Sequence, residues 1–529
     1  MSRFDGLRPV SNAEYANLIR RYPPSSLLPL IARLGAQADD PARWLGSPAP
    51  PPWLLADAAW MSLWRGNEHR HRLATMPDLL EILTAGHNLD DPACHQTVGE
   101  RLEGLLLRHG YLQFEWQQDP FDAVARTIAV LAQTTPQQEM KAIRPGWDSE
   151  VLGCSVIEYV SIATLLTSAA TLGQGWVLPE TLHGVPGLER VTASDEMRDR
   201  VAERYFAATA EQFRRESQRS EVAQDPLLRR FTFNPLHKWP LVKGMGQGYL
   251  LPVPLLALRK ATLTNIYFNG QARYGNTFPT DLGHLLEEYV GRQFQLLADA
   301  EVHREIVYRQ PGGDGDKKSV DWIVVFKDLV LLVEVKSRQP REALRVGADY
   351  ERELNSQLAK GFEQINATAE LIRNGHEGFR ALPADRSMLG LVVTLGSYYT
   401  ANSPEFRSTL PQTVIPVGVA DIAELESAIS ITDVRLADVL AAEARPARAG
   451  WSLRQAITGH RLEPNAVLEQ ARSACPLLRT RRRHAPAGLL VRLRVRRRPW
   501  RTPCPDGRPR VRASRRRSAG RCRYGSLSA

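Results

Sequence analysis

Apolar residues run almost without a break through two neighbouring segments of the chain, 320–326 and 329–335. Both segments are rich in Val, Ile and Leu, as strands buried inside a sheet are. Only Lys327 and Asp328 separate them, and a short polar break between two such strands indicates a tight turn. The pattern therefore predicts a buried β-hairpin.

Three charged residues interrupt this apolar pattern. A turn centred on the polar break places Val325 opposite Val330 and Asp321 opposite Glu334, with Cβ atoms about 5 Å apart across the strands. The two-residue period of a strand then puts Lys336 on the same face as Glu334. We therefore expect two carboxylates and one lysine to lie together at the open end of the hairpin.

These charges need compensation, because a carboxylate among aliphatic residues costs on the order of several kcal/mol. A divalent cation offsets that cost, and Mg²⁺ (or Mn²⁺) binds through one or two carboxylates where phosphates complete its coordination. Lys336 could then orient or deprotonate the attacking water, or stabilise charge that develops at phosphorus. The alternative is that Glu334 and Lys336 are polar positions on an exposed sheet face. Against it, Val330 and Leu332 do not alternate with polar residues.

The rest of the chain predicts an α/β protein with a mostly α-helical amino-terminal region, 1–189. The expected helices lie at about 98–109, 121–133, within 159–179 (a buried helix rather than a membrane span), 193–219, 281–297, within 349–374, and near 421–443. Besides the hairpin, the expected strands lie near 301–309, 387–394 and 413–420, and Pro416 makes the last of these an edge strand.

Asp321 before one strand, and Glu334 and Lys336 at the end of the next, resemble the motif of the PD-(D/E)xK, or restriction-endonuclease-like, nucleases. The elements over about 281–400 also resemble the αβββαβ core of that family, a mixed sheet flanked by helices. Val320 stands where the family motif often has Pro. The resemblance implies phosphodiester hydrolysis, with Asp321 and Glu334 holding one or two Mg²⁺ and Lys336 positioning the attacking water.

The family often adds an acid from its first helix, and the helix expected at 281–297 carries two candidates. We choose Glu287 as a further catalytic and metal-binding residue over Glu288, because Gly283 and Gly291 lie one turn on either side of it. This small-residue stripe could allow close approach of the sheet, the metal or the substrate. The alternative is that both acids are solvated helix positions.

Five further polar residues are candidates for substrate contact. Arg338 and Arg341 follow Lys336 closely, and we expect them to contact phosphates. Gln357, Lys360 and Gln364 share one face of the next helix, where similar families use Gln or Lys; an ordinary wet helix face is the alternative.

The net charge of +10 does not describe the body of the protein. Residues 479–529 contain 18 Arg, no Lys and one acid, so residues 1–478 carry a net charge of −7. The arginine-rich segment could be a disordered arm that binds nucleic acid, or the product of a GC-rich gene read out of frame. Either interpretation keeps it out of any argument about the fold.

Charge is also uneven within the body. Residues 190–280 have a net charge of +6, whereas residues 281–386 have −4. The basic stretch interleaves cations with aromatics, as a nucleic-acid surface does, although these aromatics could equally belong to a core. The two runs are Arg229-Arg230-Phe231-Thr232-Phe233 and His237-Lys238-Trp239. Earlier in the chain, His69 and His71 alternate with Arg70 and Arg72, and we interpret them as solvated rather than as metal ligands.

These patterns predict four segments. The first two are a helical region 1–189 with a Pro-rich break near 47–53, and a basic segment 190–280 with a helix and a small β-rich unit. The last two are a nuclease-like domain 281–445 and a carboxy-terminal segment 446–529 with the arginine-rich tail from about 474. Cysteine spacing indicates neither a disulfide framework nor a zinc site, and no apolar signal region opens the chain. We therefore expect a cytoplasmic protein without membrane association.

The function expected from the sequence is metal-dependent hydrolysis of nucleic acid, DNA rather than RNA, in bacterial defence or DNA processing. The alternative is a catalytically silent nuclease fold that acts as a nucleic-acid-binding or interaction scaffold. The sequence leaves a homodimer and a separate regulatory partner open. Because the chain has no phosphate loop of the helicase type, any ATPase would have to be a separate protein.

Overall fold

The structure is a computed structural model, and it describes residues 8–37, 50–92, 98–183, 194–246, 248–309, 315–444 and 451–479. Helices and mixed sheets build a mixed α/β protein, as the sequence predicts. Residues 480–529, which hold nearly all of the arginine-rich segment, lie outside the described residues, as does part of the Pro-rich break near 47–53.

The amino-terminal part is helical, as expected. Pro52 opens a helix at its first position, where the missing N–H costs nothing, so the described end of the Pro-rich break is a helix start. The helices expected at 98–109 and 121–133 are present as the fifth and sixth helices. The bounds are α1 Asn12–Ile19, α2 Pro24–Gly35, α3 Pro52–Arg65, α4 Met76–His87, α5 Val98–Gln113, α6 Pro120–Leu131, α7 Trp147–Leu152 and α8 Val156–Leu172.

The buried helix expected within 159–179 is α8. By length and composition, the segment Trp147–Leu172 could cross a membrane, but 78% of its most apolar window is buried inside the protein. Side-chain hydroxyls of this helix bond back to carbonyls one turn earlier, for example Thr164 to Val160 at 2.8 Å, so its polar groups are satisfied within the core.

A small four-stranded sheet follows, as expected for residues 190–280, and it corrects the prediction of one continuous helix over 193–219. That helix is interrupted because Ala207 and Ala208 are buried and pair in parallel with residues 241–242, and Thr209 then caps a new helix. The sheet order is β1-β4-β3-β2, with β1 Trp176–Val177, β2 Ala207–Thr209, β3 Leu241–Lys243 and β4 Tyr249–Leu250. The helices here are α9 Asp195–Val201, α10 Ala210–Arg219, α11 Glu221–Gln224, α12 Leu255–Lys260 and α13 Leu263–Tyr274, with a π-helical turn at Ala202–Phe206.

A five-stranded mixed sheet forms the second half of the fold. Its order is β11-β10-β9-β8-β5, and the central strand β9 is antiparallel to β8 and parallel to β10. The predicted hairpin register is confirmed, since Val325 pairs with Val330 and Trp322 pairs with Val333. The strands are β5 Glu301–Arg304, β8 Trp322–Val325, β9 Leu329–Lys336, β10 Ser387–Thr394 and β11 Val417–Asp421.

Two of the predicted strands are shorter than expected. The strand expected at 301–309 divides, because Ser319 bonds both backbone polar groups of Ile306 and draws the chain away from the sheet. The remainder forms a separate ribbon of β6 Val307–Tyr308 and β7 Lys317–Lys318. The strand expected at 413–420 begins only after Pro416 and lies at the sheet edge, as proline requires.

Helices cover both faces of the larger sheet. One face packs on α14 and the other on α16, and alternate residues of β9 belong to these two separate hydrophobic clusters. The last helices pack beside α6 and α8, and Cys475 and Leu478 are buried, so the arginine-rich tail expected from about 474 begins later than predicted. The bounds are α14 Thr277–Phe294, α15 Glu342–Arg345, α16 Tyr350–Arg373, α17 Pro404–Arg407, α18 Ile422–Ile429, α19 Leu436–Glu443, α20 Leu453–Ala456, α21 Ala466–Ala474 and α22 Pro476–Arg479.

One hydrophobic cluster joins the amino-terminal helices to the larger sheet. It contains residues of α6 and α8 together with α14, β9 and α21, so it crosses the segment limits expected near 189 and 280. A buried ion pair lies within it, because both Nε and Nη2 of Arg126 donate to the Glu426 carboxylate at 2.6 Å. Tyr289 donates its hydroxyl to the same carboxylate at 2.7 Å. Helices α6, α14 and α18 are thereby fixed to one another.

Candidate active site

Three of the predicted site residues meet where the hairpin opens. Along β9, Val330, Leu332 and Glu334 face α16, whereas Val333 and Val335 face α14. Asp321 lies just before β8, on the residue that continues the hairpin register opposite Glu334. The alternation of apolar residues therefore puts both carboxylates on the same face, as the sequence predicts.

Asp321 is held by the backbone of the neighbouring strand. Its Oδ2 accepts a hydrogen bond of 2.7 Å from the backbone N–H of Val335. This N–H lies at the end of the β8–β9 pairing, beyond the last paired residues of the two strands. Burial and the nearby Glu287 carboxylate raise the pKa of Asp321 to about 7. Asp321 is thus fixed in position but is costly to ionise without a further positive charge.

Glu334 is the most deeply buried member of the group, with 2% of its surface exposed. Its Oε1 accepts a hydrogen bond from the Lys336 ammonium, while its Oε2 is buried with no hydrogen-bond partner. Burial and the Asp321 carboxylate raise the pKa of Glu334 to about 8. Gly361 of α16 packs against this residue: a Cβ there would make an ordinary contact of 3.6 Å with Cγ of Glu334 and a tight one of 3.2 Å with Val392.

Lys336 is oriented by two acceptors. Its Nζ donates to Glu334 Oε1 and, over 3.0 Å, to Oε1 of Gln364 on α16. The structure therefore brings Gln364 into the site. The ammonium is only partly buried, so it reaches from the apolar core toward solvent.

Glu287 lies at the rim of the same group. Burial and the charges of Glu334 and Glu305 raise its pKa to about 7. Its backbone carbonyl accepts a bond of 2.9 Å from Trp322 Nε1, and a Cβ at Gly291 would overlap that indole at 2.2 Å. The small-residue stripe thus serves close packing of α14 on the sheet.

Glu288, the alternative to Glu287, has an ion-pair partner of its own. Its Oε1 accepts a bond of 2.8 Å from Nη1 of Arg304 on β5. This ion pair joins α14 to the edge strand β5.

Sequence reasoning missed two members of the group, Glu305 and Lys318. The charge of Glu305 raises the pKa of both Glu287 and Asp321, and Lys318 Nζ lies 2.8 Å from its carboxylate. Glu305 follows β5 at the point where the chain leaves the sheet, and a continuous strand over 301–309 would have hidden that bend. No local sequence signal marks it, because the bend is made by Ser319, which lies 13 residues further along the chain, between β7 and β8.

The remaining predicted substrate residues are not gathered around Lys336. Gln357 does not have the exposed position that a substrate contact needs, because it is buried. Its amide oxygen accepts a bond of 2.7 Å from the Tyr398 hydroxyl, and its amide nitrogen donates to Glu353 over 3.0 Å. Lys360 is exposed on α16. Arg338 and Arg341 are both exposed just beyond β9, and a guanidinium nitrogen of Arg341 lies 3.7 Å from a carboxylate oxygen of Glu353.

The donors fit a small hard cation. Two carboxylates on adjacent strands, one with an unpartnered buried oxygen, match the one or two carboxylates through which Mg²⁺ binds while it keeps several waters. Within the described ranges, no three His, Cys, Asp or Glu side chains are placed to enclose a metal ion.

The cation–aromatic runs of residues 229–239 belong largely to the interior. Arg229 is buried and pairs with Asp57, Arg230 lies 3.2 Å from Asp91, and Phe231 is buried. Burial lowers the pKa of His237 to about 4, so that imidazole is neutral. The interpretation of the aromatic residues as core is therefore correct for Phe231. Within residues 229–239, Phe233 is the one large apolar residue that is exposed.

No family model matches the chain, and no curated protein or solved structure is similar to it at a significant level.

Proposed function

We propose that the protein is a metal-dependent nuclease that hydrolyses phosphodiester bonds in DNA. The observation that carries the proposal is the convergence of Asp321, Glu334 and Lys336 at the open end of one hairpin. Glu334 Oε2 is buried there without a partner. A buried, unpartnered carboxylate oxygen beside a second carboxylate is costly in a scaffold and useful in a cation site.

The order of elements supports the same class. Helix α14, strands β5, β8 and β9, helix α16 and strand β10 occur in the αβββαβ order that the restriction-endonuclease-like resemblance implies, with the β6–β7 ribbon and the short helix α15 inserted. Asp321 directly precedes β8, and Glu334 and Lys336 lie at the end of β9, in the positions that the resemblance implies. We therefore propose that this part of the chain is a nuclease core of that superfamily.

Each residue of the site has a proposed role that follows from its position. Asp321 and Glu334 would hold the cation, and Glu287 at the rim would add a charge or a water-mediated contact. Lys336, fixed by Gln364, would orient the attacking water and hold a positive charge near the scissile phosphate. When bound, Mg²⁺ or Mn²⁺ supplies charge neutralisation of the phosphate and lowers the pKa of a coordinated water. Hydrolysis would proceed in line.

The test is cleavage by the full-length protein. We would incubate it with supercoiled, linear and single-stranded DNA and with RNA, in Mg²⁺, Mn²⁺ or EDTA. We expect metal-dependent cleavage of DNA, and loss of at least about a hundredfold in Asp321→Asn and in Lys336→Ala, the scale at which removal of a stabilising or acid–base group acts.

The hairpin supplies matched controls for both substitutions. Asp328→Asn and Lys327→Ala make the same chemical changes at exposed positions in the turn at the opposite end of β9. Both controls should cleave like the unaltered protein. If no substrate is cut in any metal, or if the site variants and the turn variants are equally active, the nuclease proposal is wrong and the scaffold alternative gains support.

A further inference from the structure

A strongly cationic groove lies in the amino-terminal helical part, and none of the residues of the proposed active site lines it. Two segments form it: the end of α1 with the residues after it, and the extended segment between α3 and α4. Every residue that lines the groove is polar: Asn17, Arg20, Arg21, His69, Arg70, His71 and Arg72.

The walls of this arginine groove are fixed by the fold. Ala74 N–H donates to Ser26 Oγ at 2.7 Å, and the backbone N–H of Ser25 donates to Glu68 at 3.0 Å. Both bonds tie the extended segment to the start of α2. Tyr22, which is fully buried, donates its hydroxyl to Asp78 at 2.7 Å and anchors the other wall. The cations are therefore presented in a set arrangement rather than on a free loop.

The groove has more positive charge than its neighbours neutralise. Arg72 pairs with Asp78 at 2.8 Å, and Arg21 lies 4.0 Å from Glu81. Among the residues that the structure describes, no carboxylate is within ion-pair distance of Arg20 or Arg70, and both are exposed. Two guanidinium groups thus remain open to an external anion, and two histidines stand beside them.

The lining points to phosphates carried on a polymer. Pockets for small molecules are mostly apolar with a few polar groups, and no apolar side chain lines this groove. The planar guanidinium fork matches phosphate oxygens in a bidentate manner. The proposed nuclease core, residues 281–386, has a net charge of −4 and would repel a polyanion.

We propose that the arginine groove binds the phosphodiester backbone of the nucleic acid that the protein acts on. This inference rests on the proposed nuclease function and adds the surface that holds the substrate, which the acidic core by itself does not supply. The contacts carry no base information, so binding through the groove is independent of sequence. An anionic membrane is the less suitable partner, because the groove is concave and lacks apolar side chains to insert into a bilayer.

The test is the salt dependence of binding by the full-length protein. We would measure the affinity for double-stranded and single-stranded oligonucleotides by fluorescence anisotropy in EDTA, which separates binding from cleavage, across a series of salt concentrations. The variant is Arg20→Ala/Arg70→Ala. Loss of two phosphate contacts should reduce the slope of log affinity against log salt by roughly 1.8 on duplex DNA. That change corresponds to a roughly thirtyfold weaker affinity at 0.15 M salt, taking 1 M salt as the point where the electrostatic contribution vanishes.

The matched control is Lys327→Ala/Arg380→Ala, which removes two exposed positive charges elsewhere on the surface. Both proteins keep the arginine-rich segment 479–529, so its contribution cancels in the comparison. Thermal unfolding of each variant checks that the fold is retained. Equal slopes and affinities for the two double variants would overturn the inference, as would a protein that binds no nucleic acid in EDTA.

Two further outcomes separate this inference from the proposed function. Metal-dependent cleavage that needs Lys336, with binding indifferent to Arg20 and Arg70, would sustain the nuclease and reject the groove. Groove-dependent binding without cleavage in any metal would sustain the groove and reject the nuclease. Vesicles containing phosphatidylserine form a third arm, since binding to them that is lost in Arg20→Ala/Arg70→Ala while nucleic-acid binding is unchanged would assign the groove to a membrane surface and overturn the inference.

Discussion

Asp321 accepts a hydrogen bond of 2.7 Å from the backbone N–H of Val335. This contact takes the place of a ladder bond just before β8 begins, and it turns an acidic side chain toward the end of β9. The same strand end carries Glu334 and Lys336 on the face opposite to Val335. A single side-chain bond thus holds the Asp321 carboxylate at the strand end that carries Glu334.

The stability of the protein in EDTA should fall as the pH rises from about 6 to about 9. Glu334 and Asp321 have pKa values of about 8 and about 7 in the folded protein, against ordinary values of 4.5 and 3.8. The folded state therefore binds more protons than the unfolded state in this range. This contribution to stability is fully present below the ordinary values and is lost progressively as the pH rises from them to the raised ones, at about 1.4 kcal/mol per carboxyl for each pH unit.

Denaturant unfolding of the unaltered protein and of Glu334→Gln at both ends of this pH range checks the prediction. The variant keeps a neutral side chain of the same size, so its stability should depend less on pH. Addition of Mn²⁺ at pH 8 should stabilise the unaltered protein. Identical pH profiles for the two proteins would contradict the raised pKa of Glu334.

Gly291→Ala should destabilise the protein by about 1–3 kcal/mol, the usual cost of overpacking. A Cβ at this position would lie 2.2 Å from the indole of Trp322, and that ring is fixed by its bond to the Glu287 carbonyl. Gly283→Ala is the control on the same helix, because its Cβ would meet only Ser337 Oγ at 3.3 Å. Thermal unfolding compares the two, and equal losses would mean that α14 is not held by the Trp322 contact.

Gln364→Ala should lower cleavage roughly tenfold without unfolding the protein. Gln364 accepts from Lys336 Nζ at 3.0 Å, so its loss leaves the lysine oriented by Glu334 alone. About 1.4 kcal/mol of lost orientation corresponds to a factor of ten in rate. The control is Lys360→Ala, an exposed position one turn earlier. Rates are measured at saturating substrate, since a positioning role predicts a fall in kcat; a change confined to KM would assign Gln364 to substrate binding instead.

Arg126→Met should destabilise the protein by about 3–5 kcal/mol, because it leaves the buried Glu426 carboxylate without its guanidinium partner. The double variant Arg126→Met/Glu426→Gln should recover part of this loss, since no buried charge is then unpaired. Denaturant unfolding of both variants gives the two values. A double variant that is less stable than Arg126→Met would show that the pair itself, rather than the orphaned charge, dominates.

The alternation of residues in the hairpin was sufficient to predict much of the fold around the site. The apolar runs flanking Lys327 and Asp328 fix the register, and the register brings Asp321 to Glu334. The edge position of the strand after Pro416 follows equally from the missing N–H of proline. These features depend on local periodicity and on chemistry within one or two neighbouring strands.

Other features depend on contacts between distant segments, which no local pattern records. Glu305 joins the acidic group because Ser319 bends the chain after β5. Gln357 shares a helix face with Gln364, yet Tyr398 occupies its amide and only Gln364 reaches Lys336. The arginine groove likewise combines residues some 50 positions apart, so the run from His69 to Arg72, interpreted from the sequence as solvated, gives no local sign that Arg20 lies beside it.

Binding of Mn²⁺, followed by calorimetry at pH 8, tests most directly whether Asp321 and Glu334 share a divalent cation. We expect the full-length protein to bind Mn²⁺, with binding abolished or weakened at least tenfold in Asp321→Asn and in Glu334→Gln and unchanged in the turn control Asp328→Asn. Binding that is the same in all four proteins, or absent from the unaltered protein, would contradict the account.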